Sequence, residues 1–354
     1  MADNQKKILS IFQFKRIIIP IILGLGVATY LLFRNFDPEV FQNINWRWQS
    51  FFWLFFALAL MATRDFAYMY RIRLLTDKKL SWRKSFDVIM LWEFGSSVTP
   101  SIVGGSALAL FIVNREGINF GKTTAIVFTT SLLDELFYVI MVPIVVIIVG
   151  TNNLFLSNSS FGFLNSNFGS FGIFIIGYIF ILVLISIIIY GIFINPRGLK
   201  WLLIKIFKFR FLRRWLISAA KTGDDLIVTS REMRGKSIWF WLKAFGSTFI
   251  SWTARFWVVN VMILAFLSVD NHFLIYARQL VMWVILLISP TPGGSGVAEF
   301  IFSDFLGEFI IPGLVPGLAL LWRLMSFYPY LFIGALILPG WLKRVYSQNT
   351  KAIK

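Results

Sequence analysis

Residues 289–296 read SPTPGGSG, and they interrupt the middle of an apolar stretch that extends from 273 to 309. A second apolar stretch, 86–113, is interrupted in the same way by TPSIVGGS at 99–106. Proline removes a backbone donor and clashes with the preceding helical turn, while paired glycines favour non-helical backbone. The halves on either side of each break are shorter than the ~20 residues that a helix needs to cross a bilayer. Each stretch therefore predicts a re-entrant hairpin that enters and leaves the membrane on one side.

The composition around these stretches is typical of an integral membrane protein. Hydrophobic residues make up 58% of the 354 residues and charged residues only 14%, against ~25% charged residues in soluble domains. We expect a single all-α membrane domain, 1–354, with about six transmembrane helices and two broken hairpins. Cysteine is absent and His272 is the single histidine, so neither a metal nor a cofactor is expected. The predicted segments are a first span at 17–33, repeat 1 at 51–149 with its hairpin at 86–113, a span at 171–194, a connector at 195–236, repeat 2 at 238–338 with its hairpin at 273–309, and a tail at 339–354.

The basic residues predict how the chain is oriented. The net charge is +17, and most of the 34 Lys and Arg residues lie in short segments between apolar stretches, which the positive-inside rule assigns to the cytoplasm. This pattern argues against a nucleic-acid partner. It predicts a multi-pass protein of the bacterial cytoplasmic (inner) membrane with both termini in the cytoplasm. Within the basic connector, residues 199–216 predict an amphipathic helix on the anionic inner leaflet, while a solvated connector explains 224–234 equally well.

The two halves of the chain resemble each other. Arg64 lies 36 residues before Pro100, and Arg255 lies 37 residues before Pro292. Each half reads as a span with a buried arginine, then a broken hairpin, then a span with a buried charge. Because the first hairpin is predicted to open to the cytoplasm and the second to the outside, this is an inverted-topology repeat. Many transporters have this arrangement, with the substrate site near the midplane.

Charged side chains recur inside the predicted spans and hairpins. Each costs roughly 2.5–3.5 kcal/mol at the centre of a membrane helix, so they are expected to face one another or a water-filled cavity. One reading is structural pairing, for example Arg64 with Asp134 or Arg323 with Glu299, but the whole set favours a polar cavity. The residues predicted to line it are Arg64, Asp65, Glu93, Thr99, Pro100, Gly104, Gly105, Ser106, Asp134, Glu135, Arg255, Thr291, Pro292, Gly293, Gly294, Ser295, Gly296, Glu299 and Arg323.

The second break also predicts an anion site. Residues 293–297 directly precede an apolar helical stretch, and the first turn of a helix presents free N–H groups and a partial positive charge. Backbone of this kind is tolerated deep in a membrane only where it is buried in protein or lines water. These amides are therefore expected to point into the cavity, towards a phosphate or carboxylate.

The motif SPTPGGSGVAE at 289–299 resembles the signature of the lysylphosphatidylglycerol synthase transmembrane region, a flippase-like family. Residues 100–116 resemble the first half of that family, in which a glycine pair precedes an apolar stretch and Arg-Glu-Gly. Residues 132–134, Leu-Leu-Asp, resemble its Arg-Leu-Leu-Asp element, although Ser131 stands here in place of the arginine and puts that arginine's role in doubt. The resemblance covers nearly the whole chain and includes no aminoacyl-transferase domain.

This resemblance implies lipid handling. We expect a flippase-like protein that binds and translocates an anionic or aminoacylated phospholipid, or a lipid-linked species, between leaflets. The alternatives are a non-transporting partner that organises envelope lipid synthesis and an intramembrane lipid-modifying enzyme, although no catalytic constellation is evident and we expect no enzyme. The expected partners are a membrane phospholipid or lipid-linked substrate and the anionic inner leaflet, with a homodimer or an envelope-synthesis partner left open.

Overall fold

The computed structural model describes residues 47–99, 101–155, 169–208, 213, 216–287, 289, 291 and 293–351. The predicted first span, 17–33, lies outside these residues, as do Pro100 and Pro292. All regular secondary structure in the described part is helical. The helices are α1 (Trp48–Leu75), α2 (Trp82–Val98), α3 (Ser101–Arg115), α4 (Phe120–Val149), α5 (Ser170–Ile188, extended by a π-turn to Ile194), α6 (Pro196–Phe207), α7 (Leu216–Arg234), α8 (Ile238–Leu264), α9 (His272–Leu287), α10 (Val297–Leu306), α11 (Val315–Ser326) and α12 (Tyr328–Lys351).

The predicted multi-pass membrane fold is confirmed. Within the described residues, five segments are long and apolar enough to cross a bilayer: α1, α4, α5 with its π-turn, α8, and the segment that α11 and α12 form together. The longest single helix, α4, has 30 residues and is about 45 Å long. Large apolar side chains such as Phe55, Ile147 and Leu336 are exposed on these helices, as expected of surfaces that acyl chains cover.

The first predicted hairpin consists of α2 and α3. Thr99, the residue before Pro100, has extended backbone at the end of α2 (φ −111°, ψ 144°), because a following proline disfavours the helical conformation. The two helices run antiparallel and very close, since a Cβ atom at Gly105 would collide with Ser96 and one at Gly95 would collide with Leu108. The tip of the hairpin therefore lies directly after α2, next to Thr99.

The second predicted hairpin consists of α9 and α10, joined by the glycine-rich turn. Gly293, Gly294 and Gly296 have φ values of 58°, 67° and 85°, a left-handed region that is open to glycine and costs other residues roughly 1–2 kcal/mol. Arg278 on α9 donates to the carbonyl oxygen of Phe305 on α10 at 2.9 Å. The two helices are therefore antiparallel neighbours.

The tips of the two hairpins meet at Gly293. A Cβ atom at this position would lie 3.1 Å from the carbonyl oxygen of Ser97 and would overlap the ring of Phe327. We expect Gly293→Ala to lower the free energy of unfolding by more than the ~1–2 kcal/mol cost of left-handed backbone alone. Thermal unfolding in detergent, followed by tryptophan fluorescence, measures the change.

A matched control for this substitution is Gly246→Ala on α8, because a Cβ atom there meets nothing within 4 Å. An alanine in a helix is expected to be neutral or slightly stabilising. Equal unfolding temperatures for Gly293→Ala and the wild-type protein would contradict the close contact between the hairpin tips.

Contacts between the two halves occur in matching pairs. α1 packs along α8, where the Ser251 hydroxyl donates to the carbonyl oxygen of Arg64 at 3.0 Å. α4 of the first half packs against α9, and α12 of the second half packs against α2; likewise, α4 contacts α8 and α11 contacts α1. This pattern is the one expected of two halves that are related by a twofold axis, as the predicted inverted repeat requires. The predicted repeat boundaries and the sidedness in the membrane stay predictions.

The hairpins open towards opposite ends of α4. The open end of the first hairpin is held by ion pairs of Glu116 with Lys84 (3.2 Å) and Arg344, and α4 starts a few residues after Glu116. Directly after the other end of α4, the carbonyl oxygen of Asn153 accepts from the Arg278 guanidinium at 2.7 Å. Arg278 lies at the open end of the second hairpin, where it also pairs with Glu308 (2.7 Å).

Two segments differ from their predicted form. The last predicted span is broken at Phe327 into α11 and α12, because Pro329 cannot donate to a preceding turn and clashes with it. α12 then continues through most of the predicted tail, 339–354, and its Trp341 donates to Glu116 at 2.8 Å. These residues are therefore part of the helical bundle up to at least Val345, which is buried.

The basic connector contains a pair of packed helices, α6 and α7. The first ends at Phe207, so the predicted amphipathic helix at 199–216 is shorter than expected. α7 packs on α4, and Lys236 after it donates to Asp77 in the α1–α2 turn at 2.5 Å. Burial alone would raise the pKa of Asp77, but hydrogen bonds from Lys236 and Lys122 hold it below its usual value. The connector is thus fixed to the bundle at one end of the spans.

Candidate functional site

A cavity of about 270 Å³ lies where the two hairpin tips meet, between α1, α4, α8 and α11. Most of the predicted site residues line it, and several others lie directly behind its wall. The predicted residues that line it are Arg64, Glu93, Thr99, Ser106, Asp134, Glu135, Arg255, Thr291, Gly293, Gly294 and Arg323. Gly104 and Gly105 lie in α3, Asp65 lies beside Arg64, and Ser295, Gly296 and Glu299 lie behind the turn of the second hairpin.

Arg64 is fully enclosed by acidic and aromatic groups. Its guanidinium lies 2.7 Å from Asp65 and 2.5 Å from Glu93, and it lies over the rings of Tyr68 and Tyr330. The Tyr330 hydroxyl donates to Asp65 at 2.9 Å. The suggested pair of Arg64 with Asp134 is therefore wrong, because closer carboxylates already surround Arg64. The charge of Arg64 is compensated within the protein.

Asp134 pairs instead with Arg71, a residue that the sequence analysis did not identify. The two form a bidentate pair at 2.6 and 3.0 Å, and the indole of Trp252 donates to the same carboxylate at 2.9 Å. Arg71 also donates to Thr248 at 2.7 Å. This network joins α1, α4 and α8. α1 continues beyond its apolar stretch to Leu75 and carries Arg71 into the cavity wall.

The sequence did contain a signal for Arg71. It lies seven residues after Arg64, which is two helical turns, so both side chains project from one face of α1. An extension of the helix by one turn beyond the apolar stretch would have placed both arginines at the same cavity.

The suggested pair of Arg323 with Glu299 is present. Its atoms Nε and Oε1 lie 3.0 Å apart, and both side chains are almost fully buried. Arg323 also donates to the carbonyl oxygen of Gly293 (3.1 Å) and to Ser295 (3.2 Å), and its guanidinium lies 3.7 Å from the centre of the Phe327 ring. Arg323 therefore holds the turn of the second hairpin in place.

Two of the amides predicted to face an anion are already bonded within the turn. The Gly296 N–H donates to the carboxylate of Glu299 at 2.7 Å, and the Gly294 N–H donates to the carbonyl oxygen of Thr291 at 3.0 Å. The expectation of an anion site at these two amides is wrong, because the first acidic residue of α10 folds back to cap its own helix.

Arg255 differs from the other cavity arginines. Its guanidinium lies 4.1 Å from the ring of Trp283 and 5.6 Å from that of Trp252, and its side chain is only partly buried. Among the residues that the structure describes, no carboxylate lies within 4.0 Å of it. Arg255 therefore brings a positive charge to the cavity that the described part of the protein does not neutralise by contact.

Aromatic side chains form much of the remaining wall. The high aromatic content of 18% is typical of interfacial belts, so these positions did not stand out in the sequence. The rings give the cavity an apolar surface around its charges, and a less polar surrounding strengthens electrostatic attraction. The aromatic lining residues are Tyr68, Trp92, Trp252, Trp283, Trp322, Phe327 and Tyr330.

Comparison with known proteins agrees with this membrane architecture. The family model described as the lysylphosphatidylglycerol synthase TM region matches residues 17–334. A UPF0104 membrane protein of Archaeoglobus fulgidus is 26% identical over 334 residues, which cover 90% of this chain and 94% of that protein. No solved structure matches the chain.

Proposed function

Since this chain belongs to the lysylphosphatidylglycerol synthase TM region family, as the motif at 289–299 predicted, we propose that it moves lipids between leaflets. The head group of an anionic or aminoacylated phospholipid, or of a lipid-linked species, binds in the central cavity while the acyl chains stay in the bilayer. Membership of the family places the chain among membrane proteins of lipid metabolism or transport, and the cavity supports the more specific role.

Arg255 is the residue on which this proposal depends. A cation in a membrane protein is costly unless it is paired or faces water, and Arg255 has no carboxylate partner among the described residues. A phosphate is a natural ligand for a guanidinium, which presents a planar set of N–H donors. The contacts with the rings of Trp283 and Trp252 are cation–π contacts, which do not use the N–H donors of a guanidinium.

The other cavity arginines have a supporting role in the proposal. Arg64, Arg71 and Arg323 each contact at least one carboxylate, so their charges are compensated and they shape the wall of the cavity. The two hairpin tips meet beside the cavity, and a small separation of these tips would extend the cavity towards one membrane face. Broken helices at the midplane support alternating access in other transporters.

A non-transporting role in organising lipid synthesis is less well supported. A protein that serves only as a scaffold needs a filled interior, whereas this one has a cavity with charged walls. We assign the cavity a role in binding and no catalytic step. We place the protein in the cytoplasmic membrane, with α6 and α7 on the cytoplasmic side, because the connector that contains them, 195–236, holds eleven of the 34 Lys and Arg residues.

Reconstituted liposomes that contain fluorescent phosphatidylglycerol test the proposal. We expect wild-type protein to speed the exchange of this lipid between leaflets and Arg255→Gln to slow it by at least about tenfold, the effect of losing one charge-assisted hydrogen bond. Lys243→Gln is the matched control, since Lys243 lies on the same helix but is exposed, and it should exchange lipid as the wild type does. Wild-type liposomes that exchange lipid no faster than protein-free ones would end the proposal.

A further inference from the structure

Glu135 is an acidic residue of the cavity that the binding proposal does not use. Its side chain lines the cavity but is only 5% exposed, and its Oε2 atom is buried without a hydrogen-bond partner. Among the described residues, no Lys or Arg side chain lies within 4.0 Å of it. The neighbouring Asp134, in contrast, accepts hydrogen bonds from Arg71 and Trp252.

An unpaired carboxylate in this position is unfavourable. Burial without a counter-ion penalises the charged form, and a second carboxylate next in the chain adds repulsion. Binding of a proton removes both costs and supplies a donor, while release of the proton into cavity water restores the charge. Intramembrane carboxylates with access to a water-filled cavity are a recurrent feature of proton pathways.

We propose that Glu135 binds one proton together with each lipid head group, so that lipid movement is coupled to the proton gradient. This inference rests on the proposed transport function and adds the coupling ion to it. The proton enters from one aqueous side, neutralises Glu135 while the head group is bound, and leaves on the other side.

The groups around Glu135 explain the coupling. Arg255 on α8 and Tyr68 on α1 line the same cavity as Glu135, which has a volume of only about 270 Å³. A charged Glu135 therefore repels the anion that Arg255 attracts, and a neutral Glu135 does not. By linkage, anion binding at Arg255 must then favour proton binding at Glu135 to the same degree.

The helices α5, α7 and α9 also pack on α4, but they place few titratable groups near Glu135. Tyr178 on α5 donates to the carbonyl oxygen of Val139, and Arg278 on α9 lies at the far end of α4, beside Asn153. α7 meets the first turns of α4, where Lys122 pairs with Glu232. Among the described residues, Asp134 is the charged neighbour of Glu135 on its own helix, and the other charged side chains that line the same cavity are Arg64, Arg71, Glu93, Arg255 and Arg323.

A proton fits this position better than a metal cation. A bound cation requires several oxygen ligands around it, and the described residues contain no group of three or more His, Asp or Glu side chains that could hold one. A single carboxylate such as that of Glu135 suffices for a proton.

Liposomes with an imposed pH gradient test the coupling. Wild-type protein is expected to move fluorescent phosphatidylglycerol at least about fivefold faster along the proton gradient than against it. In Glu135→Gln the ratio of the rate along the gradient to the rate against it should fall to about one, whatever the total rate is. Asp224→Asn, which changes an exposed carboxylate paired with Lys200, is the matched control and should keep the wild-type ratio.

A second measurement does not depend on transport. When short-chain phosphatidylglycerol is added to the purified protein in weak buffer, a pH dye should report uptake of about one proton per bound lipid in the wild type and none in Glu135→Gln. Three results would each overturn the coupling. The first is equal rates of wild-type lipid transport along and against the proton gradient. The second is a rate difference that follows a sodium gradient instead, and the third is proton uptake that is unchanged in Glu135→Gln. Lipid exchange that still depends on Arg255 in such a case would leave the transport function intact.

Discussion

The substitution Glu299→Gln is expected to lower the free energy of unfolding by about 3–5 kcal/mol, because it leaves a buried arginine without its counter-ion. Glu299 is 0% exposed and Arg323 is 5% exposed. If the glutamine oxygen accepts from the Gly296 N–H, its NH2 group faces Arg323 in place of the second carboxylate oxygen, so the guanidinium loses both the charge and the acceptor. Unfolding of the purified protein in detergent, followed by fluorescence of its 14 tryptophans, measures the effect.

The control for Glu299→Gln is Asp224→Asn at an exposed ion pair. Asp224 lies 2.5 Å from Lys200, but its side chain is 63% exposed, so the change should stay within about 1 kcal/mol. The double substitution Glu299→Leu with Arg323→Met should recover part of the loss, since an apolar pair removes the uncompensated charge. Unfolding of Glu299→Gln at the wild-type temperature would show that this ion pair does not stabilise the second hairpin.

The second large effect is expected at the network that joins three helices through Asp134. Asp134→Asn leaves the guanidinium of Arg71, which is 3% exposed, without a charged partner, and weakens the acceptor of the Trp252 indole. We expect a loss of about 3–5 kcal/mol for this substitution alone. Arg71→Gln should cause a comparable loss, because the carboxylate then keeps only the indole donor.

The double variant Arg71→Gln, Asp134→Asn tests whether the two single losses of stability arise from the pairing of these side chains. Two neutral amides can bond to each other across the same gap, so the double variant should be more stable than either single variant. A thermodynamic cycle should then give an interaction energy of about 2–3 kcal/mol between the two sites. Additive losses would mean that Arg71 and Asp134 stabilise the protein independently, against the bidentate geometry.

Local features of the sequence predicted the breaks in the hairpins correctly. Pro100 and the glycines at 293–296 act on the backbone of their own segment, and the length of an apolar run decides whether it can cross a membrane. The break at Phe327 had an equally local signal in Pro329, but the hydropathy of the surrounding run concealed it. The end of a helix was harder to predict where charged residues follow the apolar run. For example, α1 continues past Arg71 and Arg73 to Leu75.

The partners of the charged residues could not be predicted in this way. The sequence placed Arg64 and Asp134 in the membrane, but it could not show that Glu93 and Asp65 surround the first and that Arg71 binds the second. Likewise, the free amides expected at 293–297 depend on where the side chain of Glu299 points. The contacts of these side chains depend on how helices that are far apart in the chain are rotated and shifted along their axes relative to one another.

By itself, the sequence determined that the chain is a helical membrane protein, where its two hairpins break and which charges lie within apolar segments. The reason is that the cost of placing apolar, charged or proline residues in hydrocarbon is set residue by residue. Only the tertiary structure decided which arginines are neutralised and that Arg255 and Glu135 remain without ionic partners in the described cavity. Contacts of a few ångströms between separate helices determine that compensation, and no single segment encodes them.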